Sequence, residues 1–228
     1  MKLFLSLLGL VALAFAITFL APDIGKRDGV DPNVNLPWQI VVDGQGGSAV
    51  FGIRPGSSTL ADLKAVFGDD LELAIVAAPG EVGALEAYYS QLRLGFVQGR
   101  MIVTLGTPPG MLAEMRERAP KAAYMESTTM KISLHPEDLV RVEQMPIRAI
   151  SVIPSVNLSE ETVVQRFGQA AERLPVSEKR VHLLYPDKGL DVTVDKDGKE
   201  LLQYVAPRDF ALLRDPLRQA VPATSSAD

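Results

Sequence analysis

The chain is predicted to be an α+β protein in which an N-terminal transmembrane helix precedes two related helix-plus-antiparallel-sheet units. Three observations lead there. Leu3–Pro22 is an apolar run without a charged residue, and about 20 helical residues span a ~30 Å hydrocarbon core. Short strands joined by tight turns fill Val181–Val205 and, in blurred form, Leu85–Leu105. Each stretch follows a short helix ending in Phe-Gly, at Phe67-Gly68 and at Phe167-Gly168, one hundred residues apart.

The offset extends beyond the Phe-Gly pair. Leu63 maps to Val163 and Ile53 to Ile153, while Tyr89, Phe96 and Gly99 answer to Tyr185, Val192 and Gly198 after a small slip. A shared period is the signature of duplicated supersecondary units. The alternative is two unrelated segments that use the same caps and turns. The expected segments are 1–22, anchor or signal; 23–37, linker; 38–106, first repeat; 107–149, connecting helices and strand; 150–206, second repeat; and 207–228, a C-terminal helix with a disordered tail.

At the N-terminus a signal peptide competes with an anchor. Ala12-x-Ala14 and Ala14-x-Ala16 are small-residue cleavage sites, but cutting there leaves the apolar Ile17–Leu20 on the mature chain. The reading is an uncleaved single-pass anchor in the inner membrane, residues 3–22 meeting the lipid bilayer and the remainder periplasmic. Secretion to the periplasm after cleavage is the alternative. Lys2 against Lys26 and Arg27 does not decide orientation. Asp31-Pro32 and Leu36-Pro37 break any helix and read as a tether.

Composition narrows the function. With 47% hydrophobic and 22% charged residues in 228, a packed core is affordable. A net charge of −5 without a basic block argues against nucleic acid as a partner. The absence of cysteine removes disulfides, thiol catalysis and cysteine metal sites.

Trp38–Val42 and Ala49–Ile53 read as strands around the turn Asp43–Ser48. That glycine-rich turn lacks the lysine of a phosphate-binding loop and reads as a hairpin. Ser58 or Thr59 caps a helix to Phe67, with Leu60, Leu63, Val66 and Phe67 on one stripe. Gly68 ends it. Asp69-Asp70 reads as solvated turn residues. Strands are expected at Leu71–Ala77, Val82–Tyr89, Leu92–Val97 and Met101–Leu105, the last hairpin closed by Gln98-Gly99. Tyr88 and Tyr89 point to opposite faces, one to the core and one as a candidate contact residue.

Gly106–Gly110 breaks the chain before a helix, Met111–Arg118, whose Met111 and Met115 read as core or interface packing. Thr128–Leu134 and Ile147–Ile153 read as strands. Between them His135 precedes Pro136 at a helix start and reads as a capping residue rather than a ligand. In the second unit Ser159 or Asn157 caps a helix to Phe167, and Glu172–Val176 and Arg180–Tyr185 follow as strands. His182, opposite Val181, Leu183 and Tyr185, is expected to be an exposed or sheet-surface imidazole. Asp195–Lys199 resembles part of a calcium loop but lacks acids at its first and twelfth positions, Thr193 and Tyr204, and reads as a hairpin turn. Pro207–Gln219 is expected to be helical, with a break before Pro216.

A helix ending in Phe-Gly, antiparallel strands with a Tyr on the first, and a D-x-D-G-K turn before the last resemble the SmpA/OmlA family. Val163–Val205 carries the resemblance, with Leu63–Leu105 a fainter copy. The resemblance implies a small envelope protein of the outer-membrane β-barrel assembly machinery. The tandem arrangement is also similar to β-lactamase inhibitory proteins, whose paired helix-and-sheet repeats form a concave binding face.

The expected function is a non-enzymatic, membrane-anchored, extracytoplasmic protein-binding or scaffolding module of the bacterial envelope, with an envelope or membrane protein as partner. No catalytic, cofactor-binding or metal residue is assigned, and no cofactor is expected. G-x-S-x-G, H-E-x-x-H and Walker motifs are absent. One alternative is an envelope hydrolase using carboxylates such as Asp69 with Glu72. The other is a carrier of a small apolar ligand in an enclosed cavity.

Overall fold

The computed structural model describes residues 33–125 and 128–220. Ten strands form one continuous antiparallel sheet in the order β6-β7-β3-β4-β5-β8-β12-β11-β10-β9. They are β3 (Glu72–Ala77), β4 (Ala84–Leu94), β5 (Val97–Leu105), β6 (Ala122–Tyr124), β7 (Met130–Ser133), β8 (Ile147–Pro154), β9 (Glu172–Pro175), β10 (Arg180–Tyr185), β11 (Leu190–Asp195) and β12 (Leu201–Tyr204). A separate hairpin pairs β1 (Val41–Val42) with β2 (Ser48–Ala49). Five helices accompany them: α1 (Leu60–Phe67), α2 (Met111–Glu117), α3 (Pro136–Val142), α4 (Glu160–Phe167) and α5 (Ala211–Ala220).

This corrects the expected fold class. The two helix-and-sheet units expected on either side of a connecting segment are not separate; their strands run into one sheet. The segment expected to connect them, 107–149, contributes β6, β7 and the first residues of β8. That last strand runs on into the expected second repeat and lies between β5 and β12. Its residues alternate to both faces and all but Arg148 are buried, as in a strand covered on both sides. The expected transmembrane helix over 3–22 lies outside the described residues. Among the described residues no helix is long and apolar enough to cross a membrane.

Within the sheet, β3-β4-β5-β8 and β9-β10-β11-β12 meet at β8 and β12 in mirrored order, each run preceded by a helix. The local chemistry matches. Gly68 and Gly168 end α1 and α4 at φ 85° and 86° and donate their N–H to Lys64 and Val164 carbonyls. Tyr89 donates its phenol to the Gly68 carbonyl at 2.7 Å, and Tyr185 to the Gly168 carbonyl at 2.9 Å. Each tyrosine ring lies against the Phe of its own helix, with centroids 6.0 and 6.2 Å apart.

Local signals explain the helices. Thr59 and Asp62 form a capping box, the Asp62 N–H donating to Thr59 and the Thr59 N–H to Asp62. Ser159 caps α4 by accepting from the Thr162 N–H at 3.2 Å. Leu60 and Leu63 of α1, and Val163 and Phe167 of α4, are buried in the main core with Leu85, Met101, Val152, Leu183 and Leu202. A smaller core on the opposite face joins Ala149, Leu184 and Val205 to Phe210, Leu213 and Leu217. The expected break before Pro216 is absent; α5 runs through it after a 3-10 turn at Pro207–Asp209. Leu36, in the expected linker, is buried in the core, and the Tyr204 phenol donates to the Pro37 carbonyl at 3.0 Å.

Two turns differ from expectation. The three strands predicted over 82–105 are two, because the chain reverses at Gly95-Phe96 with Gly95 at φ 62°. Gly99 instead sits inside β5, where a Cβ would lie 2.7 Å from the Ile153 carbonyl oxygen. Its missing side chain serves the close approach of β8 rather than a turn.

Candidate binding edge

A sheet of this kind has two outer strands, and their chemistry is opposite. At one end β9 carries Pro175 and the charged pair Glu172 and Arg173. Arg173 donates to Glu160 at 2.6 Å and Arg218 to Glu172 at 2.9 Å. Proline, charge and ion pairing are standard ways to blunt an edge against further pairing. At the other end β6 is Ala122-Ala123-Tyr124, uncharged and exposed at every residue.

The free hydrogen-bonding groups of β6 follow from its pairing. Ser133 N–H donates to the Lys121 carbonyl and Met125 N–H to the Thr129 carbonyl, each at 2.9 Å. Residues 121 and 125 therefore turn their backbone groups toward β7. By antiparallel alternation so does Ala123, opposite Lys131, while the N–H and C=O of Ala122 and Tyr124 face outward. Those four groups form a short template for another strand.

Beside this edge lies an open groove of about 620 Å³, walled by Ala77, Pro79, Val82, Met130, the α2 residue Arg116 and Tyr124, with Glu81 and Glu117 among its lining. Tyr124 is 73% exposed and Val82 53%. Arg116 fixes the β3–β4 connection onto α2 by donating Nη1 to the carbonyls of Glu81 at 2.9 Å and Val82 at 2.7 Å. Gly83 makes that loop possible: its φ is 91°, and a Cβ there would lie 2.5 Å from the Val76 carbonyl oxygen. Met111 and Met115 anchor α2 in the core. Its end is tied to α3 by Arg118, which donates Nε to the fully buried Asp138 at 2.9 Å and a second nitrogen to the other carboxylate oxygen.

The carboxylates proposed for hydrolysis are not brought together in a cleft. Asp69 is 85% exposed and 3.6 Å from Lys64 Nζ, whereas Glu72 pairs with Lys131 on the sheet. Asp70 is exposed. His135 stands at the N-cap of α3 and accepts from the Glu137 N–H. In the Asp43–Ser48 turn, Asp43 accepts from the Gln45 and Gly47 N–H groups, which hold its carboxyl below the usual range. Asp195 is engaged by Arg180 at 2.8 Å. Tyr88 is half-buried on the face opposite Tyr89, across from Glu72. Among the described residues no three His, Cys, Asp or Glu side chains are grouped to hold a metal ion.

His182 requires correction. It lies opposite Leu183 as expected, but it is buried, 6% exposed. Its Nδ1 is 2.8 Å from Asp191 Oδ2 and 3.3 Å from Thr193 Oγ1. Burial raises the Asp191 pKa, opposed by the bond to His182. Asp191 was not singled out from sequence. The tight turn pairing Tyr185 with Leu190 sets the register that places Thr193 opposite His182 and Asp191 opposite Leu184, and that register was the available signal. The edge strand β6 was missed as well; three residues are too few for a period to show.

No protein-family model, curated protein or solved structure matches the chain. The resemblance to SmpA/OmlA therefore rests on its own short motifs.

Proposed function

We propose that this chain is a non-enzymatic protein-binding module of the cell envelope that captures an extended segment of a partner as an eleventh strand beside β6. The observation carrying this reading is the contrast between the two sheet edges: β9 is blunted by Pro175 and ion pairs, and β6 is uncharged, exposed and flanked by a groove. An added strand gains main-chain hydrogen bonds from the template and selectivity from neighbouring pockets. The uncharged run at 3–22, read from the sequence as an anchor or signal segment, supports the envelope location.

A photo-crosslinking amino acid at Tyr124, compared with one at Arg173 on β9, tests it in the source cells. Crosslinks to protein at 124, suppressed by Ala122→Pro, are expected. Proline at 122 removes an outward N–H and leaves the bonds to β7 intact. Equal crosslinking from both edges, or crosslinks indifferent to Ala122→Pro, would refute the reading.

A further inference from the structure

The geometry points to a lysine or arginine side chain of the added segment as the group that enters the groove, and to Glu81 as the residue that selects it. This inference rests on the strand-addition reading and names the partner's chemistry. Glu81 lines the groove, and among the described residues its Oε2 has no hydrogen-bond partner; that oxygen has almost no accessible surface in the free protein, so it meets a ligand once the side chain turns into the groove. A carboxylate oxygen is an acceptor only, so the group that satisfies it must be a donor. Arg116, the cation in the same wall, already directs Nη1 at the backbone carbonyls of Glu81 and Val82. Glu117 adds a second carboxylate to the lining. Glu81 and Glu117 against Arg116 leave the lining one negative charge in excess, which a donor that is also a cation matches best.

The shape of the groove agrees. Ala77, Val82 and Met130 give it apolar walls, and long basic side chains lay their methylene stems along such surfaces while the charged head reaches a polar partner. The direction of approach is set by the sheet. Tyr124 stands opposite Met130, and Met130 opposite Ala77, so all three project from one face, that of the groove. In an added strand the residue beside Tyr124 projects from that same face. A single basic residue at that position, with apolar or small neighbours matching the uncharged edge, is the recognition element.

Selection of peptides from a random displayed library on the full-length protein tests this, with the wild type, Glu81→Gln and Ala122→Pro run in parallel. Unchanged circular dichroism and thermal unfolding establish that the variants fold. The expected result is that wild-type peptides share a Lys or Arg at one position, that Glu81→Gln binds them about ten- to a hundredfold more weakly, and that Ala122→Pro binds none. Peptides that need Ala122 but show no basic preference, or that bind Glu81→Gln unchanged, would overturn the role of Glu81 and leave strand addition standing. Peptides indifferent to Ala122→Pro, or no enriched peptide on the wild type, would overturn both. A wild-type protein that sediments as a dimer and becomes monomeric with Ala122→Pro would place a second copy at the edge and likewise overturn the proposal.

Discussion

Replacing Phe167 with alanine probes the packing that joins α4 to the sheet. The ring is 3% exposed. It meets Trp38 edge-on at 6.3 Å between centroids and Tyr185 at 6.2 Å, while Arg166 stacks over Trp38 at 4.8 Å. Truncating a buried phenylalanine removes its transfer free energy and leaves a cavity, together ~3–5 kcal/mol. At a urea dependence of ~2 kcal/mol per molar, the unfolding midpoint falls by roughly 1.5–2.5 M. Trp38 is the single tryptophan of the chain and touches the altered site, so its fluorescence during urea titration is the assay. Phe167→Leu, which retains most of the volume, is expected to cost less than about 1.5 kcal/mol. Phe67→Ala is expected to cost less than Phe167→Ala, because Phe67 is only partly buried. A loss under about 1 kcal/mol for Phe167→Ala, or equal losses at 67 and 167, would refute the burial argument.

Two further perturbations address the backbone and the sheet face. Glu86 is flanked across the strands by Ala74 and Thr104, and burial pushes its carboxyl up from 4.5 to about 8. The folded state then holds the proton more tightly than the unfolded chain. Stability is full below about pH 4.5, falls as pH rises and is lowest above about pH 8. The span corresponds to at most ~5 kcal/mol, which the partial solvent exposure of Glu86 reduces. Glu86→Gln is expected to match the wild type near pH 4 and exceed it near pH 9 in urea unfolding; a pH-independent difference would contradict this. Gly189→Ala is expected to cost about 3 kcal/mol or more in the same titration, because Gly189 has φ 68° and a Cβ would lie 2.0 Å from the Val205 carbonyl oxygen. A loss under about 1 kcal/mol would mean that this turn rearranges freely.

Legibility in the sequence followed the range of the interaction. The caps at Thr59 and Ser159 and the terminators Gly68 and Gly168 are local, and each stands where its residue type implied. Arg180–Tyr185 and the short strands expected within Val181–Val205 are present, and the turn that pairs Tyr185 with Leu190 fixes their register. What failed was non-local. Nothing within Ile147–Pro154 says that it pairs with β5 on one side and β12 on the other, although Ala149–Pro154, apolar but for Ser151, is the kind of run a doubly buried strand carries. Gln98-Gly99 looked like a turn because glycine serves both turns and close backbone contacts, and only the position of Ile153 separates the two. At the candidate edge, Ala122–Tyr124 gains its meaning from lying outermost in the sheet, and Glu81 from a carboxylate oxygen that has no donor among the described residues.

Amide hydrogen exchange of the free protein, resolved by residue across β6, is the most direct test that this edge is open to a partner strand. The outward N–H groups of Ala122 and Tyr124 are expected to exchange near the rate of an unstructured chain, and that of Ala123, bonded to β7, markedly more slowly. Equal rates at the three positions would contradict the account.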